Sequence, residues 1–223
     1  MILARLFVPL LAMKVLLFLG LFIISETTLS QTTDGYILYN IEVTAIDSSL
    51  ENQQAAGLLQ GSKMELYWAV NKSRLDFKMG ELYSTTMTLD HTTNLILMLY
   101  TGMNGQSAAL NAFDETQIAQ PTVDTDMVVT LVKETKQILG YSCKKAITVL
   151  GDVETMYWYT DEINIVAVGQ KVVNPNVPGF PMYFSTVLDG VFMEYQVSSL
   201  LLDEVQPDTV FSTEVPEGYS VQK

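Results

Sequence analysis

Residues 63–70 read "KMELYWAV" and residues 74–80 read "RLDFKMG", with only "NKS" between them. In the first run Met64, Leu66, Trp68 and Val70 alternate with Lys63, Glu65, Tyr67 and Ala69. In the second, Leu75, Phe77 and Met79 alternate with Arg74, Asp76 and Lys78. Successive side chains of a β-strand point to opposite faces, so a period of two sends one set to a core and the other to water. A helix would need its apolar residues three or four apart. Two such runs around a polar turn at Asn71–Ser73 specify an antiparallel hairpin. Trp68 and Phe77 are expected inward, Glu65 and Asp76 outward.

Strand-like runs continue along the chain: "GYILYNIEV", "YSTTMTLD", "NLILMLY", "MVVTLVKE", "KKAITVL", "ETMYWYT", "MYFSTVL" and "VFMEYQVSSLLLDEV". Turn signals separate several of them, at "HTT", at Gly151–Asp152 and at Asp189–Gly190. "NLILMLY" is apolar on both faces, which predicts a central or wrapped strand. Segment 48–61, "SSLENQQAAGLLQG", has no β-branched residue and predicts a helix. Ser48 or Ser49 can cap it, Leu50, Leu58 and Leu59 supply apolar contacts, and Gly61 can end it. A second helical or irregular piece is expected within 111–121. The residues thus predict one mainly antiparallel β domain with one or two helices.

The first thirty residues differ from the rest. Arg5 and Lys14 precede "VLLFLGLFII", and "SETTLSQ" follows. This is the charged, apolar and small-residue order of an export signal, with cleavage expected after Ser30. Pro9 and Lys14 interrupt the apolar stretch Leu6–Ile24, which disfavours a membrane anchor. "MKVLLFLGLFIIS" from Met13 is already a complete signal, so Met1 and Met13 both stand as starts. The expected division is a signal at 1–30 and a single β-rich domain at 31–223, exported to the periplasm or beyond and soluble after cleavage. Arg5, Lys14 and Glu26 leave with the signal, so 10 basic and 24 acidic residues remain, a net charge of −14. Such a surface disfavours nucleic acid and anionic membranes as partners. One cysteine leaves no internal disulfide, so the domain is held by its apolar core.

Catalytic sets are sparse. Cys143 lies between Ser142 and Lys144, and a strand turns neighbours to opposite faces, so a buried structural thiol is expected. Ser142 and Lys145 match Ser-x-x-Lys, but that chemistry needs one helical face and partner motifs that this chain lacks. His91 is the only histidine and sits in an expected hairpin turn. Asp124 and Asp126 lack the other ligands and the glycine of a calcium loop. Asp161 and Glu162 form an acidic turn. No metal, no cofactor and no enzyme activity is expected.

Taken in order, "LSQ", "GSKMELYWAVNKSRLDFKMG", "TKQILGYSCKKAITVLGDVETMYWYTDEI", "NVPGFPMYFS" and "DTVFSTEVPEGYSV" resemble exported Bacteroidetes proteins that carry an uncharacterised domain, relatives of the GLPGLI group. "VPGFPM", 177–182, stands where that group has its namesake loop, although it departs from it. The resemblance implies that Gly140, Tyr141, Cys143 and Lys145 form a fingerprint at a strand start. That family is similar in turn to the lipoprotein-carrier superfamily. This implies a curved antiparallel sheet or incomplete β-barrel, with one or two helices packed on a concave apolar side that holds acyl chains.

The leading reading is a non-enzymatic periplasmic binding or carrier protein for an acyl chain or lipid. Its expected lining is Trp68, Phe77, Met79, Leu97, Met156 and Trp158, with helix 48–61 as a lid. This set assumes that the inward faces of the strands converge. The alternative is a structural or interaction protein of the envelope whose core is filled by its own side chains.

Overall fold

The computed structural model describes residues 32–113, 124–165 and 174–221. The expected signal and its cleavage point lie outside these residues, as does most of the piece expected at 111–121. Among the described residues no helix is long and apolar enough to cross a membrane.

The protein is mainly β. One half of its sheet comes from β1 (Gly35–Ala45), β2 (Ser62–Ala69), β3 (Lys72–Met79), β4 (Tyr83–Asp90), β5 (Leu95–Gly102) and β6 (Gly105–Ala112). The other comes from β7 (Val128–Ile138), β8 (Tyr141–Leu150), β9 (Val153–Thr160), β10 (Phe180–Leu188) and β11 (Val191–Leu202), with the two-residue β12 (Ser220–Val221) at an edge. They form one open twelve-stranded sheet in the order β12-β6-β5-β4-β3-β2-β1-β11-β10-β9-β8-β7. Every pairing is antiparallel except β12 with β6. Most strands pair with sequence neighbours; the pairings that do not are β1 with β11 and β12 with β6.

The β2–β3 hairpin has the expected faces with a shorter turn. Ala69 pairs with Lys72, so the turn is Val70–Asn71, with Asn71 at φ 64. Val70 therefore leaves the buried set and is exposed, and Ser73 enters it, fully buried opposite Trp68. The correction follows from turn geometry: two-residue hairpin loops fit the strand twist when left-handed positions fall on residues such as asparagine. Asp189 (φ 46) and Gly190 (φ 81) form another two-residue loop, between β10 and β11, with both positions left-handed.

Helix α1 spans Leu50–Leu58, shorter than the segment that signals it. Ser49 caps it by accepting from the Asn52 amide at 3.3 Å. Its contacts also differ from expectation: Leu50 is 71 % and Leu58 51 % exposed, while Ala56 and Leu59 are buried. Ala56 and Leu59 pack with Ile41, Val43, Met79, Val191 and Met193. The face that carries these strand residues is called the helix face below.

The opposite face is crossed by the C-terminal residues 203–221, which run from β11 through a 3-10 turn at Asp208–Phe211 to β12. Phe211 is buried. Arg74 Nη1 donates to the Val210 carbonyl at 3.1 Å, Lys72 meets Asp208 at 3.3 Å, and the Ser220 hydroxyl donates to the Gln106 carbonyl at 2.8 Å. This strap was not expected from its sequence. The strap face is also less wet than expected. Glu65 takes hydrogen bonds from Tyr36 and Tyr67 and pairs with Lys63 at 2.6 Å. Burial alone would raise its carboxyl, but those donors together hold it below the usual range. Asp76 pairs with Arg74 and accepts from the Thr86 hydroxyl.

Candidate functional site

The expected lining residues do not share a face. Trp68, Phe77 and Met79 lie on the helix face: Trp68 pairs with Gly35 and Ser73, and Phe77 with Met64. Leu97 pairs with Thr88, which pairs with Arg74, and this places it on the strap face. Trp158 pairs with Tyr183 and Lys145, and Met156 with Ser185 and Ile147, also on the strap face. The register thus divides the six between the two faces of the ladder, while Trp68 and Trp158 belong to one buried cluster with Met156 packed against it. Trp68, Leu97, Met79 and Trp158 are moreover buried. Of the six, Phe77 and Met156 keep a partly exposed surface.

What the helix face does assemble is a row of rings. Tyr157 on β9 pairs with Phe184 on β10, and Phe184 with Tyr195 on β11. Register alone brings them side by side. Phe184 stacks on Tyr195 at 4.2 Å between centroids and 11° between planes, and on Tyr157 at 5.8 Å and 25°. Tyr39 meets Phe184 edge-on at 6.0 Å and anchors itself by donating to the Pro181 carbonyl at 2.7 Å. All three stacked rings are half-buried. Burial raises the Tyr195 hydroxyl above its usual pKa, which keeps it neutral at physiological pH. Met64 and Phe77 pack beside Tyr195 and extend the apolar surface toward β3. Beyond them Tyr83 stacks on Tyr100 at 5.9 Å, and Met98 is 42 % exposed on the same face. The surface runs across seven strands in the sheet order, β9 to β4, and on to β5, with α1 packed beside it. The sequence signal for this row was present, since "ETMYWYT", "MYFSTVL" and "VFMEYQV" each place an aromatic on either face.

The strap face holds a second cluster at the β7 end. Lys136 Nζ sits 4.5 Å from the Trp158 ring centre and 4.6 Å from that of Tyr183. Those rings are on β9 and β10, two and three strands along. Strands are about 4.8 Å apart, so the sheet curls here to let Lys136 reach. Desolvation lowers the Lys136 ammonium below the usual lysine range. Tyr183 donates to Glu194 at 2.5 Å, and burial with this bond pushes its hydroxyl up to about 12. The hairpin tip, Leu139 (φ 49) and Gly140 (φ 87), leads into this curl, and Leu139 borders a 280 Å³ depression with Asn40, Glu42 and Gln196.

Cys143 is buried at 0 % exposure, opposite Lys136 in the ladder. Burial pushes its thiol up, away from the reactive thiolate. Lys144 turns to Asp161 and Lys145 to Glu134, so neither activates it. The native protein is expected to resist a thiol reagent at pH 8 and to react at once in denaturant. Cys143→Ala is expected to cost on the order of 1 kcal/mol. Rapid labelling of the folded chain would contradict this assignment. Glu162 accepts from the Ser142 amide at 3.0 Å, and Asp124 from the Asp126 amide, so both acidic pairs hold backbone. Among the described residues no three metal-ligating side chains cluster.

Residues 88–173 match the family model described as "N-glycanase peptide, N-terminal domain". That match covers less than half of the chain, from β4 to the segment after β9. No curated protein matches the chain in sequence. Among solved structures, PNGF-II in its C2 crystal form is similar over 84 % of this chain, with 13 % identity and a TM-score of 0.44. The chain spans about 30 % of PNGF-II's length. The Mycobacterium tuberculosis lipoprotein LppX is similar over 78 % of this chain and 89 % of its own, with 9 % identity and a TM-score of 0.37. A LolA superfamily protein from Nitrosomonas europaea is similar over 81 % of this chain and 90 % of its own, with 11 % identity and a TM-score of 0.23.

Proposed function

We propose that the chain is a non-enzymatic, exported binding or carrier protein that takes an acyl chain or similar apolar ligand on its helix face. The observation that carries this reading is the half-buried stack Tyr157–Phe184–Tyr195, continuous with Phe77 and Met64 and bordered by α1. Half-buried rings in a continuous row on a sheet offer an apolar surface on which another molecule can lie. Hydrocarbon laid on it gains about 25 cal/mol per Å² removed from water. Helix α1 borders this surface, fixed at its C-terminal corner by Leu59 and with Leu50 and Leu58 facing solvent. The ligand-facing residues in this reading are Phe77, Tyr157, Phe184 and Tyr195 in place of the set expected from sequence. Membership of the exported, GLPGLI-related proteins belongs to the same reading.

The family match favours a second reading, in which this β domain is a module like the N-terminal domain of an N-glycanase. Titration of the delipidated protein with a fluorescent fatty acid separates the two. Saturable binding that depends on Phe184 supports the carrier.

A further inference from the structure

A cavity of about 440 Å³ lies on the strap face, between the strap and β3–β5. Its volume falls in the range of small-molecule sites, roughly 300–1,000 Å³. Its walls offer hydrogen-bonding capacity of both kinds. Arg74 gives Nε to Asp76 and one Nη1 hydrogen to the Val210 carbonyl, and a guanidinium has five N–H donors, so others stay available. The Ser212 hydroxyl accepts from the Glu214 amide and keeps its own proton to donate. The Glu214 carboxylate is a further acceptor on the rim. Leu97 and Leu99 supply an apolar floor.

Thr88 is the decisive member. It borders the cavity, is 1 % exposed, and its Oγ1 has no protein partner. A buried hydroxyl without a protein partner is costly and rare; this one has almost no accessible surface, so a ligand group meets it only once the roof above it lifts. The roof over it is residues 212–217, whose own bonds are short-range, Glu214 to Ser212 and Tyr219 to Pro216. The roof is tethered on either side by the Arg74–Val210 and Tyr219–Thr101 contacts. It can lift without breaking a ladder.

We propose that this cavity binds a small neutral polyol of the sugar class. Adjacent donors and acceptors above an apolar floor match a ligand whose hydroxyls do both and whose C–H faces are apolar. An anion is disfavoured because Arg74 is already paired with Asp76, and Glu214 and Glu217 stand at the rim. A cation would face the Arg74 guanidinium. The proposal concerns the face opposite the aromatic row and is independent of the apolar-ligand reading.

The test uses the full chain, with glucose, N-acetylglucosamine and cellobiose as probes and butyrate and propylamine as charged controls. Saturation-transfer NMR and thermal shift report binding. At least one sugar is expected to bind saturably and neither control to compete. Thr88→Val removes a hydroxyl that no protein group uses, so the fold is kept, while sugar affinity falls about tenfold. Thr88→Ser keeps the hydroxyl and retains binding. The absence of saturable sugar binding overturns the proposal. So does preferential binding of either control, or equal sugar affinity in Thr88→Val and the parent.

Discussion

Trp68→Ala is expected to cost roughly 3–5 kcal/mol in denaturant unfolding, the range for emptying a large aromatic site in a close-packed core. Trp68 is 0 % exposed on the helix face and packs with Ile37, Tyr39 and Leu66. Its ring lies directly over Gly35, where an added Cβ would stand 2.3 Å from Trp68 Cζ2. The absence of a side chain at Gly35 is what lets the indole lie flat against β1. The indole Nε1 has no partner, so the loss is one of packing and not of a hydrogen bond. Trp68→Phe should accordingly cost much less than Trp68→Ala. Equal costs for the two would contradict this assignment, as would a Trp68→Ala cost below about 1 kcal/mol.

Gly80→Ala is expected to destabilise the protein by about 3 kcal/mol and to release α1, seen as a loss of protection of its amides in hydrogen exchange. Gly80 follows β3 at φ 52. A Cβ there would fall 1.9 Å from the Leu58 carbonyl oxygen and 2.7 Å from the Leu59 Cα, both backbone atoms that cannot swing aside. The same corner is a hydrogen-bonded knot. The Gly80 amide donates to the Ser62 hydroxyl at 2.9 Å, that hydroxyl donates to the Leu59 carbonyl at 2.6 Å, and the Glu81 amide donates to the Leu58 carbonyl at 3.2 Å. This knot, more than side-chain burial, fixes the end of α1 over the sheet. A stability change within about 0.5 kcal/mol, with α1 protection intact, would show that the corner yields freely.

The sequence made the fold legible where polar and apolar residues alternate. In β3 charged residues occupy every second position, and in β2 Lys63 and Glu65 alternate with Met64 and Leu66, so the faces of Trp68, Phe77 and Glu65 followed from counting. Strands β5 and β9 carry no such label. "LILMLY" and "TMYWY" are apolar on both faces, and choosing Leu97, Met156 and Trp158 over Met98 and Tyr157 was a choice of parity that only register decides. Register is further shifted by irregularities between Leu38 and Tyr39, Val132 and Thr135, and Pro181 and Tyr183. Each extra residue re-aims the side chains that follow it, and none has a local sequence mark. The strap was illegible for a different reason. "DTVFSTEVPEGYS" has no period, and its one strong anchor, Phe211, is indistinguishable in sequence from any loop aromatic. The helix was legible in its cap, Ser49, and misread in its contacts. A nine-residue helix tied down by its C-terminal corner does not have to bury its leucines.

The aromatic row is the claim on which the functional account stands. The direct measurement is titration of the delipidated full chain with dansyl-undecanoic acid, in the parent and in Phe184→Ala and Trp158→Phe variants whose folding is checked by circular dichroism. The expected result is saturable binding in the parent, an affinity about tenfold weaker in Phe184→Ala, and no change in Trp158→Phe, whose ring lies on the other face. Absence of saturable binding in the parent, or an affinity that survives loss of the Phe184 ring, would contradict the account.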